Sequence, residues 1–320
     1  MNSTNGTAVC IIEANPDVSG TGIRVSIYAL ALGGRILQFL ISQIARPEDC
    51  REFRSAVDSA LGVQGLALLC TAIYQTFRHQ LTLFHAICVI HLLALLGISV
   101  VSQGQYQGLG PRRVFTIIAI TVISGAAFVA FNAYVWATAP TFGSQPDCNS
   151  STVYVVFGVS IPATGPVFRW LIIATLSIIP VGFLIGLTCA APCIGLLCYL
   201  KRKHDLGPMS TWETTPNPSQ VENPRVSQWV GMLSMVGFSI YAVVSLEQTI
   251  SRNNIGEQER EWTFGQILPV FVLLGVVNEL TNMFLAHLDR KAAGVATAGR
   301  SGNRGSGDSA REGTELISSA

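Results

Sequence analysis

The chain has 320 residues, 49% hydrophobic and only 12% charged, with a mean hydropathy of +0.45. Soluble domains carry about 25% charged residues, so this composition is that of a membrane protein and not of a soluble globular domain. The net charge of +1 decides nothing by itself; what matters is where the twenty Lys and Arg residues lie.

Residues 1–22 are polar and lack a basic stretch followed by a short apolar core, so no cleavable signal peptide is expected. Seven apolar runs then follow, at residues 25–45, 56–77, 81–101, 114–137, 170–200, 226–250 and 263–287. A helix needs about 20 apolar residues to cross the bilayer core, so the expected fold is an all-α membrane protein, a seven-transmembrane-helix bundle. With the N-terminus outside, fourteen of the twenty basic residues fall in inside segments. Arg24, Arg78, Arg252 and Arg260 fall outside, Arg169 stands at the mouth of the fifth run and Arg35 lies within the first. Basic residues concentrate in cytoplasmic loops, which predicts N-outside, C-inside. The sequons at Asn2, Asn5 and Asn149 all fall outside in this topology and are the glycosylation candidates.

The fifth run would extend about 46 Å as one helix, beyond the hydrocarbon thickness. It contains Pro180 and Pro192, and a single bent helix keeps Lys201, Arg202 and Lys203 inside. The loop at 204–224 holds Pro208, Pro216, Pro218 and Pro224 and reads as an extended linker. The domain plan is thus an outer segment at 1–24, a seven-helix domain at 25–287 and a disordered cytoplasmic tail at 288–320.

Ionisable residues inside a membrane are functional candidates by default. Arg35 sits near the midplane of the first span, three residues from Gln38. A charge there costs about 2.5–3.5 kcal/mol on insertion scales and calls for a partner. In the seventh span Asn278, Glu279 and Asn282 form a polar flank at helical spacing, and Glu279 is the expected partner of Arg35 if the first and seventh helices are neighbours. Such a pair serves either ligand binding and gating or the fixing of helix register. Asp58 lies close to the inner end of the second span. His85 and His91 flank Cys88 in the third, diverging by roughly 120°, which suits hydrogen bonding between helices and not a shared metal.

Of eight cysteines, Cys10 and Cys148 alone fall on the predicted outer side and are the disulfide candidates. Cys189, Cys193 and Cys198 lie on the inner half of the fifth run, and Cys198, three residues before Lys201, is the palmitoylation candidate. No CxxC pattern is present, so no metal site is expected. No lysine lies within a span, and neither Asp-Arg-Tyr after the third run nor Asn-Pro-x-x-Tyr in the seventh is found, so the signatures of retinal proteins and of the common G-protein-coupled receptors are missing. No Walker A, Ser-x-x-Lys or His-Glu-x-x-His motif occurs, and no catalytic residue, cofactor or enzymatic activity is expected.

Two stretches, Asn15-Pro16-Asp17-Val18-Ser19-Gly20-Thr21-Gly22-Ile23-Arg24 before the first span and Trp262-Thr263-Phe264-Gly265-Gln266-Ile267-Leu268 opening the seventh, resemble a group of uncharacterised fungal multi-pass membrane proteins. The resemblance implies no activity. Physically, the first stretch reads as a turn permitted by Gly20 and Gly22, and the second sets Trp262 at the membrane interface. If the first and seventh helices are adjacent, the two stretches meet as an outer lid or a structural clasp. Three functions stay open: a receptor-like or sensor protein, a transporter or channel using a polar pathway near Arg35 and Glu279, and a membrane-organising protein. The expected partners are the lipid bilayer and a small-molecule ligand that the sequence does not name, with no nucleic acid. The expected location is the plasma membrane or a secretory-pathway endomembrane.

Overall fold

The computed structural model describes residues 10–44, 47–100, 111–178 and 224–302. In chain order these form α1 (Pro16–Ser19), α2 (Thr21–Tyr28), a π-helical segment Ala29–Gly34, α3 (Arg35–Ile44), α4 (Pro47–Phe77), α5 (Leu83–Val100) and α6 (Pro111–Thr138). A hairpin of β1 (Val153–Val156) and β2 (Val159–Pro162) comes next, followed by α7 (Pro166–Ile178), α8 (Pro224–Arg252) and α9 (Phe264–Gly302). The protein is mostly helical, and among the described residues five helices are long and apolar enough to cross a membrane: Pro16–Gln43, Phe53–Phe77, Phe115–Thr141, Trp229–Arg252 and Gly265–Leu285. Two shorter apolar helices, Leu83–Leu96 and Pro166–Ile178, coincide with the third run and the start of the fifth.

The core is organised around α5. Leu83, Phe84, Ile87, Leu92 and Leu95 are buried on all sides of this helix, because an element that is apolar all round has no face to offer to water and takes the centre. Helices α4, α6 and α8 pack against it. The outer helices instead turn large apolar side chains outward, among them Phe115 and Ile123 on α6 and Phe271 and Phe284 on α9, as suits a lipid-facing surface.

One end of the bundle is capped by connections. Cys10 and Cys148 are joined by a disulfide, with Cα atoms 5.6 Å apart, as the cysteine placement predicts. Ile12 forms a parallel bridge with Ile255: its N–H donates to the Asn254 carbonyl at 2.8 Å and its carbonyl accepts from Gly256 N–H at 3.0 Å. At the end of α6, Arg169 donates to the carbonyls of Trp136 (2.7 Å) and Ala137 (2.5 Å), a cation placed on the unpaired carbonyls of a helix C-terminus.

Two expectations require correction. The turn expected at 15–24 is helical on both sides of Gly20, which alone takes an extended backbone (φ −62°, ψ 158°) between α1 and α2. Pro16 favours this by occupying the first helical position, where no N–H is needed. The tail expected to be disordered from 288 is helical to Gly302, because α9 continues past its apolar part through residues rich in Ala, which favour a helix. Residues 303–320 lie outside the described residues, as do the linker at 204–223, Pro180, Pro192 and the inner part of the fifth run.

Candidate functional site

Two polar layers of the interior are built on the first span. At the capped end α1 and the start of α2 meet the α8–α9 connection, Glu257–Arg260, and the start of α9. The two motif stretches therefore form one clasp. Gln266 is fully buried: its Oε1 accepts from Gly22 N–H at 2.9 Å and its Nε2 donates to the Glu261 carbonyl at 2.7 Å. Gly20 and Gly22 make room for that side chain; a methyl on Gly22 would lie 2.8 Å from Gln266 Cβ and 2.9 Å from the Trp262 ring. Thr263, just before α9, donates to Asp17 Oδ1 at 2.6 Å, so its hydroxyl ties the two stretches together.

Beside the clasp lies Glu259, a carboxylate only 6% exposed. It accepts from Asn15 N–H at 2.7 Å and from the Ser19 hydroxyl, and its Oε2 is 3.4 Å from Nε2 of the fully buried His85. His85 Nδ1 lies 2.7 Å from the Thr82 hydroxyl, so with Nε2–H directed at Glu259 the second ring nitrogen accepts from Thr82. Burial pushes the Glu259 carboxyl up, but the hydrogen bonds from His85, Ser19 and Asn15 outweigh it and hold the group below its ordinary value. The Ser19–Glu259–His85 chain, with the carboxylate in the middle, cross-links α1, α5 and the α8–α9 connection. Next to it Arg24 pairs with Glu247 of α8 and donates to the Ser19 carbonyl at 2.9 Å, while the Tyr28 hydroxyl donates to Glu247 at 2.9 Å.

The second layer surrounds Arg35, which begins α3 where the π-helical segment ends. Its partner is Asp58 of α4, at 3.2 Å, and it also donates to Gln38 Oε1 at 3.1 Å. The expected pairing with Glu279 does not occur: among the described residues Glu279 makes no ion pair, while Asn278 and Asn282 are exposed on α9. Two features bring Asp58 close. A six-residue π-helical segment, Ala29–Gly34, shifts the face on which every later residue points. Gly34 lets α3 approach α4 so closely that a methyl there would lie 2.9 Å from Val57 Cγ1. Nearly two turns further along α4, Gln64 donates to the carbonyl of Pro269, the residue that interrupts the N–H ladder of α9, at 3.2 Å.

Against expectation, His91 meets the hairpin and not another helix: its Nδ1 lies 3.3 Å from the Tyr154 hydroxyl of β1, in a cluster with Trp136 and Phe168. No group of three or more metal-ligating side chains occurs among the described residues. The structure buries the Asn149 glycosylation candidate: the residue is 2% exposed, and Nδ2, the atom that would carry a glycan, donates to the Phe142 carbonyl at 2.9 Å. Asn2, Asn5 and Cys198 lie outside the described residues, with Cys189 and Cys193. Sequence reading missed Glu259, Glu247 and Arg24 because each stands in or beside a polar segment, where charges are unremarkable. Comparison of the chain with protein-family models, curated proteins and solved structures gives no match, so its chemistry is read from its own geometry.

Proposed function

We propose that the chain is a seven-span, receptor-like sensor of the plasma membrane or a secretory-pathway membrane, with the capped end outside and the C-terminus cytoplasmic. The five apolar helices, the two shorter ones and the bias of basic residues support the topology. The disulfide agrees with a capped end that faces an oxidising compartment. We also place the chain with the fungal multi-pass group on its two resembling stretches, which correspond to the two halves of the clasp.

One observation carries the sensor reading. The first span ties a cross-linked outer layer, through Ser19, Gly22 and Arg24, to the intramembrane Arg35–Asp58 pair, and the two are joined by the π-helical Ala29–Gly34. A π segment can revert to α-helix by losing one residue from its turn, which would rotate α3 relative to α2; sensing needs an element of this kind with two discrete arrangements. Hydrogen exchange in lipid nanodiscs tests it. Glu259→Gln, which touches only the capped end, should change amide protection within 29–34 and into α3. Changes confined to residues around 12–24 and 253–266 would refute the sensor reading and leave a membrane-organising role.

A transport role is the second reading, and it rests on buried polar atoms. Gln38 Nε2 and Gln64 Oε1 have no hydrogen-bond partner among the described residues, near the Arg35–Asp58 pair. Solute flux in reconstituted vesicles that is abolished by Gln64→Leu would favour it.

A further inference from the structure

The β1–β2 hairpin is held along α8 in an unusual way. Every backbone group on the free edge of β1 is met by a side chain of that helix. Val153 N–H donates to Asn253 Oδ1 (2.9 Å) and its carbonyl accepts from Asn253 Nδ2 (2.8 Å). Val155 N–H donates to Thr249 (3.1 Å) and its carbonyl accepts from Ser245 (2.5 Å). Phe157 N–H donates to the Tyr241 hydroxyl at 3.3 Å, and Arg252 donates to the Gly158 carbonyl at 2.8 Å and to Ser160 Oγ at 2.6 Å. Ser245, Thr249 and Asn253 are spaced by four and line one face of the helix, acting together as a substitute strand. A loop in water has no need of this, since water satisfies such groups, whereas a strand edge entering a bilayer must find protein partners.

The depth agrees. Glu247 is charged and its side chain is 45% exposed, which marks the polar level of α8. Tyr241, on which the Phe157 ring stacks at 4.8 Å, lies six residues further into the span Trp229–Arg252, about 9 Å along the axis at 1.5 Å per residue. The turn itself is Phe157-Gly158, with φ of 48° and 79°. Left-handed backbone suits glycine and costs a phenylalanine about 1–2 kcal/mol, so a large aromatic at that position is kept against local preference. It is also 80% exposed, and Val159 beside it is 62% exposed. Beside the turn lies the guanidinium of Arg252, an exposed residue, held on Gly158 and Ser160.

We infer that this hairpin is a lipid anchor: its tip, Phe157 and Val159, enters the upper acyl region of a phospholipid leaflet while Arg252 lies at the level of the headgroup phosphates. Apolar tip, aromatic ring and basic residue follow in the order that an interface presents to them. The other occupants of such a tip would be water or a protein partner.

Full-length protein reconstituted in phosphatidylcholine vesicles tests this, with Phe157→Trp and, separately, Val159→Trp, each read as emission added to that of the wild type. The added emission should be quenched several-fold more strongly by lipid brominated near the headgroup end of its chains than by aqueous acrylamide, and more strongly than by lipid brominated near the chain ends. Strong acrylamide quenching with no effect of brominated lipid would overturn the proposal in favour of an aqueous loop. Protection from both quenchers would overturn it in favour of a protein contact. Two variants at independent positions keep the result decisive if one of them fails to fold.

Discussion

Glu259 offers the most direct test of how the capped end is held. Replacing it by Ala removes the acceptor shared by Asn15 N–H, the Ser19 hydroxyl and His85, in a place where Ser19 is 1% and His85 0% exposed. An unpaired buried donor costs about 1–3 kcal/mol, and three donors lose their shared acceptor here; because the losses overlap at one site, roughly 3–5 kcal/mol is expected in total. Glu259→Gln should behave differently. The amide oxygen can still accept from Asn15 and His85, and the new NH2 can donate to Ser19 once that hydroxyl rotates, so the expected cost is about 1 kcal/mol. Equilibrium unfolding in detergent at neutral pH measures both. A Gln variant as damaged as the Ala variant, or an Ala variant within about 0.5 kcal/mol of wild type, would refute this account of the cross-link. The pH dependence gives a second reading. Because the folded carboxyl is held below its ordinary value, the folded state binds fewer protons than the unfolded one in the window beneath roughly pH 4.3. The stabilisation is therefore complete above that pH and is lost as pH falls through the folded value, and Glu259→Gln should remove this part of the acid sensitivity.

Other perturbations address the second layer and the loops. Arg35→Ala and Asp58→Asn should couple by about 1–3 kcal/mol in a double-mutant cycle, whereas Arg35→Ala and Glu279→Ala should add within about 0.5 kcal/mol; the reverse pattern would return Arg35 to the seventh span. Gly34→Ala should cost about 1–3 kcal/mol by pushing against Val57, while Gly33→Ala, with nothing within 4 Å of its added methyl, should be neutral or stabilising by up to about 1 kcal/mol, as thermal unfolding of the two variants will show. Glycosidase treatment should release no glycan from Asn149, so a mass shift lost on Asn149→Gln would contradict its burial against Phe142.

Which parts of this arrangement can be read from the chain depends on the range of the interaction. The apolar runs are local and show directly. The Cys10–Cys148 link follows from sidedness, because only those two thiols fall outside. His85 and His91 diverge on their helix by simple counting and do go to separate partners, Glu259 and Tyr154. The partner of Arg35 eludes the same counting for a definite reason. Faces computed at 100° per residue from the start of the first span hold only as far as Tyr28, because the π-helical Ala29–Gly34 then adds a residue to the turn and rotates all that follows. Nor does anything local distinguish Glu259 from Glu257 or Glu261; only the fold turns one of the three inward. The burial of Asn149 escapes local reading for a similar reason, since its 3₁₀ turn, Pro146–Ser151, directs the amide at Phe142.

The clasp explains why its two stretches should constrain each other, and that can be measured. Gly265 opens the first turn of α9 directly against α1, where a methyl group would lie 2.6 Å from Asp17 Oδ1 and 3.1 Å from its Cγ. Gly265→Ala alone must displace a carboxylate that also accepts from Thr263, so both crowding and a lost hydrogen bond contribute, about 1–3 kcal/mol together. Asp17→Ala alone loses only an exposed hydrogen bond, about 0.5–1.5 kcal/mol. With Asp17 already shortened, the methyl on residue 265 occupies vacated space and the hydrogen bond has no second time to be lost. The double variant should therefore be less destabilised than the sum of the singles by about 1 kcal/mol or more, whereas sites that do not touch would add within about 0.5 kcal/mol. Strict additivity in equilibrium unfolding would mean that the two stretches lie apart, and the clasp, with the path proposed from it into the first span, would have to be abandoned.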